Sequence, residues 1–333
     1  MPSPVVGFLL TAQLLALPGV RVSRAVVVMG TQLKIDVIAA SRPAALEATE
    51  ASYQAVLRAD ALLSTWHASS LDSLNQATVG DTTAISTELL SLLHEVLPWR
   101  DSTGGAFEPV SGALADAWDL RGAGRVPSTD QLRRALASTG AEAMEIRDKV
   151  AVRQRGGAWL DSGAFGKGAA LRMAARALQH EGIQAALLDF GGQVLAVGAP
   201  DHAGGWTVAV ADPRDRQRSA LELLLRDVSA STSAQSERFV TVDGHRYGHI
   251  LDPHTGRPVS AWGSVTVIAA DPMLADILST ALFVMGPEQG LAWANRHPSI
   301  GAVFLVSSTA GTRCVTSVGA RKFVVPSDSQ PAP

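Results

Sequence analysis

A strand-like pattern of apolar and polar positions runs from Arg24 to Ile38, broken in the middle by Met29-Gly30-Thr31. Helical spacing follows from Pro43 to Leu63, with Leu46, Ala55, Leu57, Ala61 and Leu62 on the apolar side. Residues 63–77, LSTWHASSLDSLNQA, read as a polar loop around Trp66 that leads into a short turn ending at Asn75. A second amphipathic helix fits 86–99, turning Leu89, Leu90, Leu93 and Leu97 inward. A third starts at Thr129, where Ser128 and Gln131 form a capping box. Strands are expected over 143–161, 206–212 and 219–226, then a polar turn, VSASTSAQSERF, over 228–239. A hairpin around Asp243-Gly244 comes next, and a strand over 264–269. Asp271-Pro272 predicts a helix start, with Asp as the cap and Pro in the first turn. Apolar strands over 300–306 and 312–325 complete the pattern. Periodicity alone gives mixed α and β content.

The densest stretch is 160–192, LDSGAFGKGAALRMAARALQHEGIQAALLDFGG. The seven residues after Asp161 include three glycines, which let a backbone approach a ligand with no Cβ in the way. A helix then begins near Gly166, with Ala169, Ala170, Met173, Ala174, Ala177 and Leu178 inward and Arg172, Arg176 and Gln179 opposite. Its free N–H groups and Lys167 suit an anion such as phosphate. An ordinary strand–turn–helix with a surface lysine fits the same residues. The spacing matches neither a P-loop nor the dinucleotide fingerprint.

Other residues are chemically open in the same way. Trp66 in a polar loop is either a core plug or a stacking surface. His249, at the end of the hairpin's return strand, is either structural or a base. Asp276 and Thr280 lie four apart in the apolar run ILSTALFVM, so the carboxylate needs a partner: nearby backbone, or a hard cation shared with the hydroxyl.

Composition narrows the field. A net charge of −3 without a basic stripe argues against a nucleic-acid partner. One cysteine, Cys314, excludes an internal disulfide and a cysteine metal cluster. Residues 4–20 are apolar enough for a signal or anchor, yet no Lys or Arg precedes them and Gln13 and Pro18 interrupt them. The expected organisation is an apolar extension over 1–24, one catalytic domain over 25–325 and a disordered tail over 326–333.

Taken in order, VMGT (28–31), STWHASSLDSLN (64–75), GGAFEPVSGAL (104–114), LDSGAFGKGAA (160–170), LLDFGGQVLAVG (187–198), STSAQSERF (231–239), GHILDPHTGRPV (248–259) and SVTVIAADPMLADILSTALFVMG (264–286) resemble the FAD:protein FMN transferase (ApbE) family. The resemblance implies an α+β fold related to the T-fold, with a ligand cleft between two packed lobes. It also implies Mg²⁺-dependent transfer of FMN from FAD to a Ser or Thr of an acceptor flavoprotein, releasing AMP. By the same resemblance, Met29, Trp66, Ala106, Phe107, Glu108, Asp161, Lys167 and Ile250 match cofactor-binding positions. Ala164 (through its carbonyl), Asp276 and Thr280 match metal ligands, with Ser279 nearby, and His249 takes the base role on its ordinary pKa. Gln193, Ala169, Arg172 and Ala234 depart from the residues frequent in the family. A flavin-binding protein without transfer activity, and a hydrolase giving FMN and AMP, are the alternatives. The family's usual clients belong to redox complexes at the membrane, so a cytoplasmic or membrane-associated protein is expected, with export left open.

Overall fold

The computed structural model describes residues 19–200, 204–236 and 238–326. Two antiparallel strands, β1 (Val20–Val28) and β2 (Thr31–Ala39), precede a 22-residue helix, α1 (Arg42–Leu63). A helical region follows: α2 (Ser70–Asn75), β3 (Thr82–Ala84), α3 (Thr87–Val96), α4 (Pro98–Ser102), α5 (Gly112–Ala117) and α6 (Thr129–Ala137), closed by β4 (Met144–Arg147) and β5 (Val150–Arg153). Helix α7 (Gly166–His180) leads into β6 (Ala185–Phe190) and β7 (Gln193–Val197), then β8 (Trp206–Asp212), β9 (Asp215–Leu225) and β10 (Val228–Ala234). The small hairpins β11 (Phe239–Val242) with β12 (His245–Gly248), and β13 (Leu251–Asp252) with β14 (Arg257–Pro258), come before β15 (Gly263–Ala269). Helix α8 (Pro272–Arg296), β16 (Gly301–Ser308), β17 (Gly311–Thr316) and a 3-10 turn (Val318–Phe323) complete the chain.

Eight strands form one antiparallel sheet in the order β1-β2-β6-β7-β10-β15-β16-β17. Alternation along each strand separates its two faces. Leu33, Ile35, Val37, Ala186, Leu188 and Phe190 pack under α1 and α7, and Val265, Val267, Ala302 and Phe304 pack under α8. The opposite face, through Ala185, Ala196, Ala230, Ile268, Val303 and Leu305, is covered by the β8–β9 hairpin. The helical region forms a second lobe. Its leucines share a core with Phe165 and Ala169 of the α7 approach and with Met273, Ile277 and Ala281 of α8, so α7 and α8 stand where the lobes meet.

Several sequence expectations need correcting. Residues 228–234 are no polar turn: they form β10, a central strand between β7 and β15, with Ser229, Ser231 and Ser233 buried. The hydroxyls find partners inside, so polarity here does not mean exposure. The helix expected over 86–99 breaks before Pro98, because proline lacks the N–H that would continue it. The loop after α1 contains a helix, α2, capped by Ser69. Residues 154–161 lie outside strands, and β17 stops at Thr316. In α1 the buried side includes Ala45, Ala48, Ala55, Val56, Ala59 and Leu62, while Leu46 is 48% exposed. β1 starts at Val20, inside the stretch assigned to the extension. Residues 1–18, most of that stretch, and the tail beyond Pro326 lie outside the described residues.

Candidate active site

Helices α7 and α8 approach closely at Gly168. A Cβ there would sit 2.5 Å from the Pro272 carbonyl oxygen, 2.6 Å from Met273 Cα and 2.8 Å from Asp276 Cβ. Only glycine lets the two backbones come this near. The result joins the glycine bend to the acid: the Gly168 N–H donates to Asp276 Oδ2 at 2.9 Å, and Lys167 Nζ lies 3.5 Å from Oδ1. Asp276 is buried, 3% exposed, so its carboxylate depends on these groups. Ser231 of β10 donates to Oδ1 at 3.3 Å, and Ser279 links Ser231 (3.2 Å) to Ser233 (2.9 Å). The serines of the central strand thus form a hydroxyl chain under the acid. Sequence reading missed them because small polar residues between charged ones resemble a turn.

Thr280 is half-buried one helical turn beyond Asp276, and Ala164 is half-buried in the bend before α7. Among the described residues no group of three or more His, Cys, Asp or Glu side chains is placed so that it could hold a metal ion. The set on offer is the Asp276 carboxylate beside Lys167, with the Thr280 hydroxyl one turn along the same helix. It fits a hard cation such as Mg²⁺ that takes most of its ligands from a bound diphosphate and water.

His249 follows β12, half-buried, with Nδ1 3.0 Å from the Arg238 carbonyl oxygen. That acceptor makes Nδ1 the protonated nitrogen and leaves the Nε2 lone pair free. Burial lowers the His249 pKa to about 4; the charges of Arg238 and Lys167 press the same way, against the hydrogen bond to the Arg238 carbonyl. The imidazole is therefore neutral at physiological pH and within electrostatic reach of Lys167.

The remaining predicted contacts divide. Met29 occupies a two-residue turn with Gly30 (φ 49° and 71°), and its Cε would lie 3.5 Å from a Cβ placed on Gly166, which brings it to the start of α7. Asp161 Oδ1 accepts the Gly163 N–H at 3.0 Å and shapes the bend. Trp66 is 68% exposed, which rules out the core plug. Ala106 and Phe107, by contrast, are buried in the helical-lobe core, so their side chains offer no open surface. Glu108 is turned inward too: Oε1 accepts the Val110 N–H at 2.9 Å and Oε2 lies 2.6 Å from Arg100 Nε. Burial pushes its pKa above the ordinary carboxylate value, against the pull of Val110 and Arg100. Ile250 is 7% exposed, and the Gln235 side chain accepts its N–H (3.0 Å) and donates to its carbonyl (2.7 Å). Gln193 is fully buried; its amide donates to the Pro272 carbonyl (2.7 Å) and to Ser229 (3.1 Å), supporting the start of α8.

The family model described as the ApbE family matches residues 29–304. The chain belongs to the ApbE family. An FAD:protein FMN transferase of Treponema pallidum is 33% identical over 306 residues, covering 85% of this chain and 84% of that protein. One from Vibrio cholerae is 31% identical over 261 residues, covering 77% and 78%. Among solved ApbE structures, the apbe protein of Thermotoga maritima superposes with a TM-score of 0.83 at 27% identity, covering 92% of this chain and 100% of that one. The flavin transferase ApbE from Vibrio cholerae gives 0.80 at 28%, with the same coverage. The ApbE architecture accounts for the α+β fold. The lysine-bearing bend and the α8 acid fall within the ApbE match.

Proposed function

We propose that the chain transfers the FMN half of FAD to a Ser or Thr hydroxyl of an acceptor protein, releasing AMP, with Mg²⁺ as the assisting cation. The observation that carries this reading is the convergence of the α7 N-terminus, Lys167 and Asp276 beside a neutral His249. Family membership and the printed names of the curated relatives support the same reaction.

The FAD diphosphate lies across the glycine bend, where the N–H groups of the first α7 turn and Lys167 meet its charge. Asp276, Thr280 and the Ala164 carbonyl would hold the cation, which when bound neutralises charge developing on the phosphates. His249 Nε2 accepts the proton of the acceptor hydroxyl as its oxygen bonds to the FMN phosphorus. The bond from that phosphorus to the bridging oxygen breaks, and AMP leaves with that oxygen. Lys167 offsets the charge gained by the leaving phosphate. Met29 and Asp161 border the same bend, and the exposed Trp66 ring stacks on the adenine.

Incubation of the protein with FAD, Mg²⁺ and a peptide bearing a target Ser or Thr tests the proposal by mass spectrometry. The expected products are a peptide heavier by one FMN phosphoryl group and an equal amount of AMP. Free FMN with AMP and no adduct would make the chain a hydrolase. Intact FAD would leave it a binding protein.

A further inference from the structure

We infer that Arg121 is a positioning residue that fixes the Trp66 indole for stacking on the adenine of FAD; this rests on the placement of Trp66 at the adenosine end proposed above. An indole 68% exposed on a loop has little core contact to set its plane. Arg121 provides that contact. Its guanidinium carbon lies 4.7 Å from the Trp66 ring centroid and 4.3 Å from that of Trp159. The guanidinium is itself anchored: Nη1 donates to the Thr65 carbonyl at 2.6 Å, Nη2 donates to Thr65 Oγ1 at 2.7 Å, and Nη2 lies 4.0 Å from Asp161 Oδ1.

The far end of this chain of contacts is rigid. Trp159 Nε1 donates to Asp116 Oδ2 at 2.8 Å, and its ring fills the space over Gly112, where a Cβ would come within 1.9 Å of the indole. Contacts thus run from α5 through Trp159 and Arg121 to an exposed aromatic tip. A planar cation held by fixed hydrogen bonds restrains an indole more than a flexible lysine would. The Asp161 contact ties the same guanidinium to the residue that opens the glycine bend.

The test is calorimetric binding of AMP and, separately, of FMN to the full chain with Mg²⁺, for the wild type, Trp66→Ala, Arg121→Ala and the double variant. Arg121→Ala is expected to weaken AMP roughly three- to tenfold. Trp66→Ala should weaken it at least as much, the double variant should bind like Trp66→Ala alone, and FMN affinity should hold throughout. Arg121→Gln, planar but uncharged, guards against a folding defect: the same AMP loss is expected with an unchanged melting temperature. Wild-type AMP affinity in both Arg121 variants, losses that add in the double variant, or an equal loss for FMN would overturn the role of Arg121 and leave the place of Trp66 standing. Wild-type AMP affinity in Trp66→Ala would remove Trp66 from the adenosine end, and the brace with it.

Discussion

In the base role proposed for it, His249 has already lost its proton at physiological pH. A base lowered to about 4 stays neutral through the physiological range, so the acid limb of kcat/KM is expected near pH 4. A limb near the ordinary 6.5 would contradict this. Stability carries the same signature. Between pH 6.5 and about 4 the unfolded histidine binds a proton that the folded one does not, so this group favours folding above 6.5 and the contribution is lost as pH falls through that window. His249→Ala should therefore flatten acid denaturation there while abolishing transfer and retaining FAD, as equilibrium dialysis and the peptide assay would show. At Asp276 the prediction is electrostatic. Asp276→Asn keeps the shape but removes the charge facing Lys167, so Mg²⁺ affinity measured by calorimetry should fall by an order of magnitude or more, roughly the weight of one lost carboxylate ligand. Types and spacings of these side chains were legible in the sequence. Whether Ala106, Phe107 and Glu108 faced a ligand or the core was not, because burial of a loop depends on what packs over it.

Helices α7 and α8 owe their relation to a few contacts. Gly168→Ala pushes a methyl into the backbone of Pro272 and Met273, which cannot rotate away as a side chain would. The expected loss is about 1–3 kcal/mol by thermal or urea unfolding, with a larger loss of transfer, since Gly168 and Lys167 would be driven from Asp276. Arg172 fastens the same crossing. It donates to Asp271 through two nitrogens and to Glu95 at 2.5 Å, and Asp271 also caps α8 through the Met273 N–H at 2.9 Å. Sequence spacing placed Arg172 on the outer face, yet it joins the helices there. A charged residue at the edge of an apolar stripe can pair across a helix–helix seam that periodicity does not display. Strand β10 teaches the converse: its serines serve an acid on another element, and no local pattern reports that.

The proposed site residues come from regions far apart in the chain, and both α7 and α8 pack against both lobes. On the proposed reading a bound Mg–FAD complex would bridge them and should raise the melting temperature by more than FAD or Mg²⁺ alone. At a hundredfold excess over the dissociation constant the stabilisation is about 2.7 kcal/mol, read by differential scanning fluorimetry, and Asp276→Ala should abolish the cation-dependent part. Among the described residues no helix is long and apolar enough to cross a membrane. What the sequence determined by itself was local or ordered along the chain: the caps at Ser128 and Asp271, the Asp243-Gly244 turn, the glycine bend before α7, and the succession of motifs that marks the ApbE family. Tertiary structure alone decided that Gly168 lies against Asp276, that β10 runs through the middle of the sheet, and that Arg121 braces two tryptophans. Those relations join residues dozens to a hundred positions apart, and their energy exists only once the packed chain has excluded water between them.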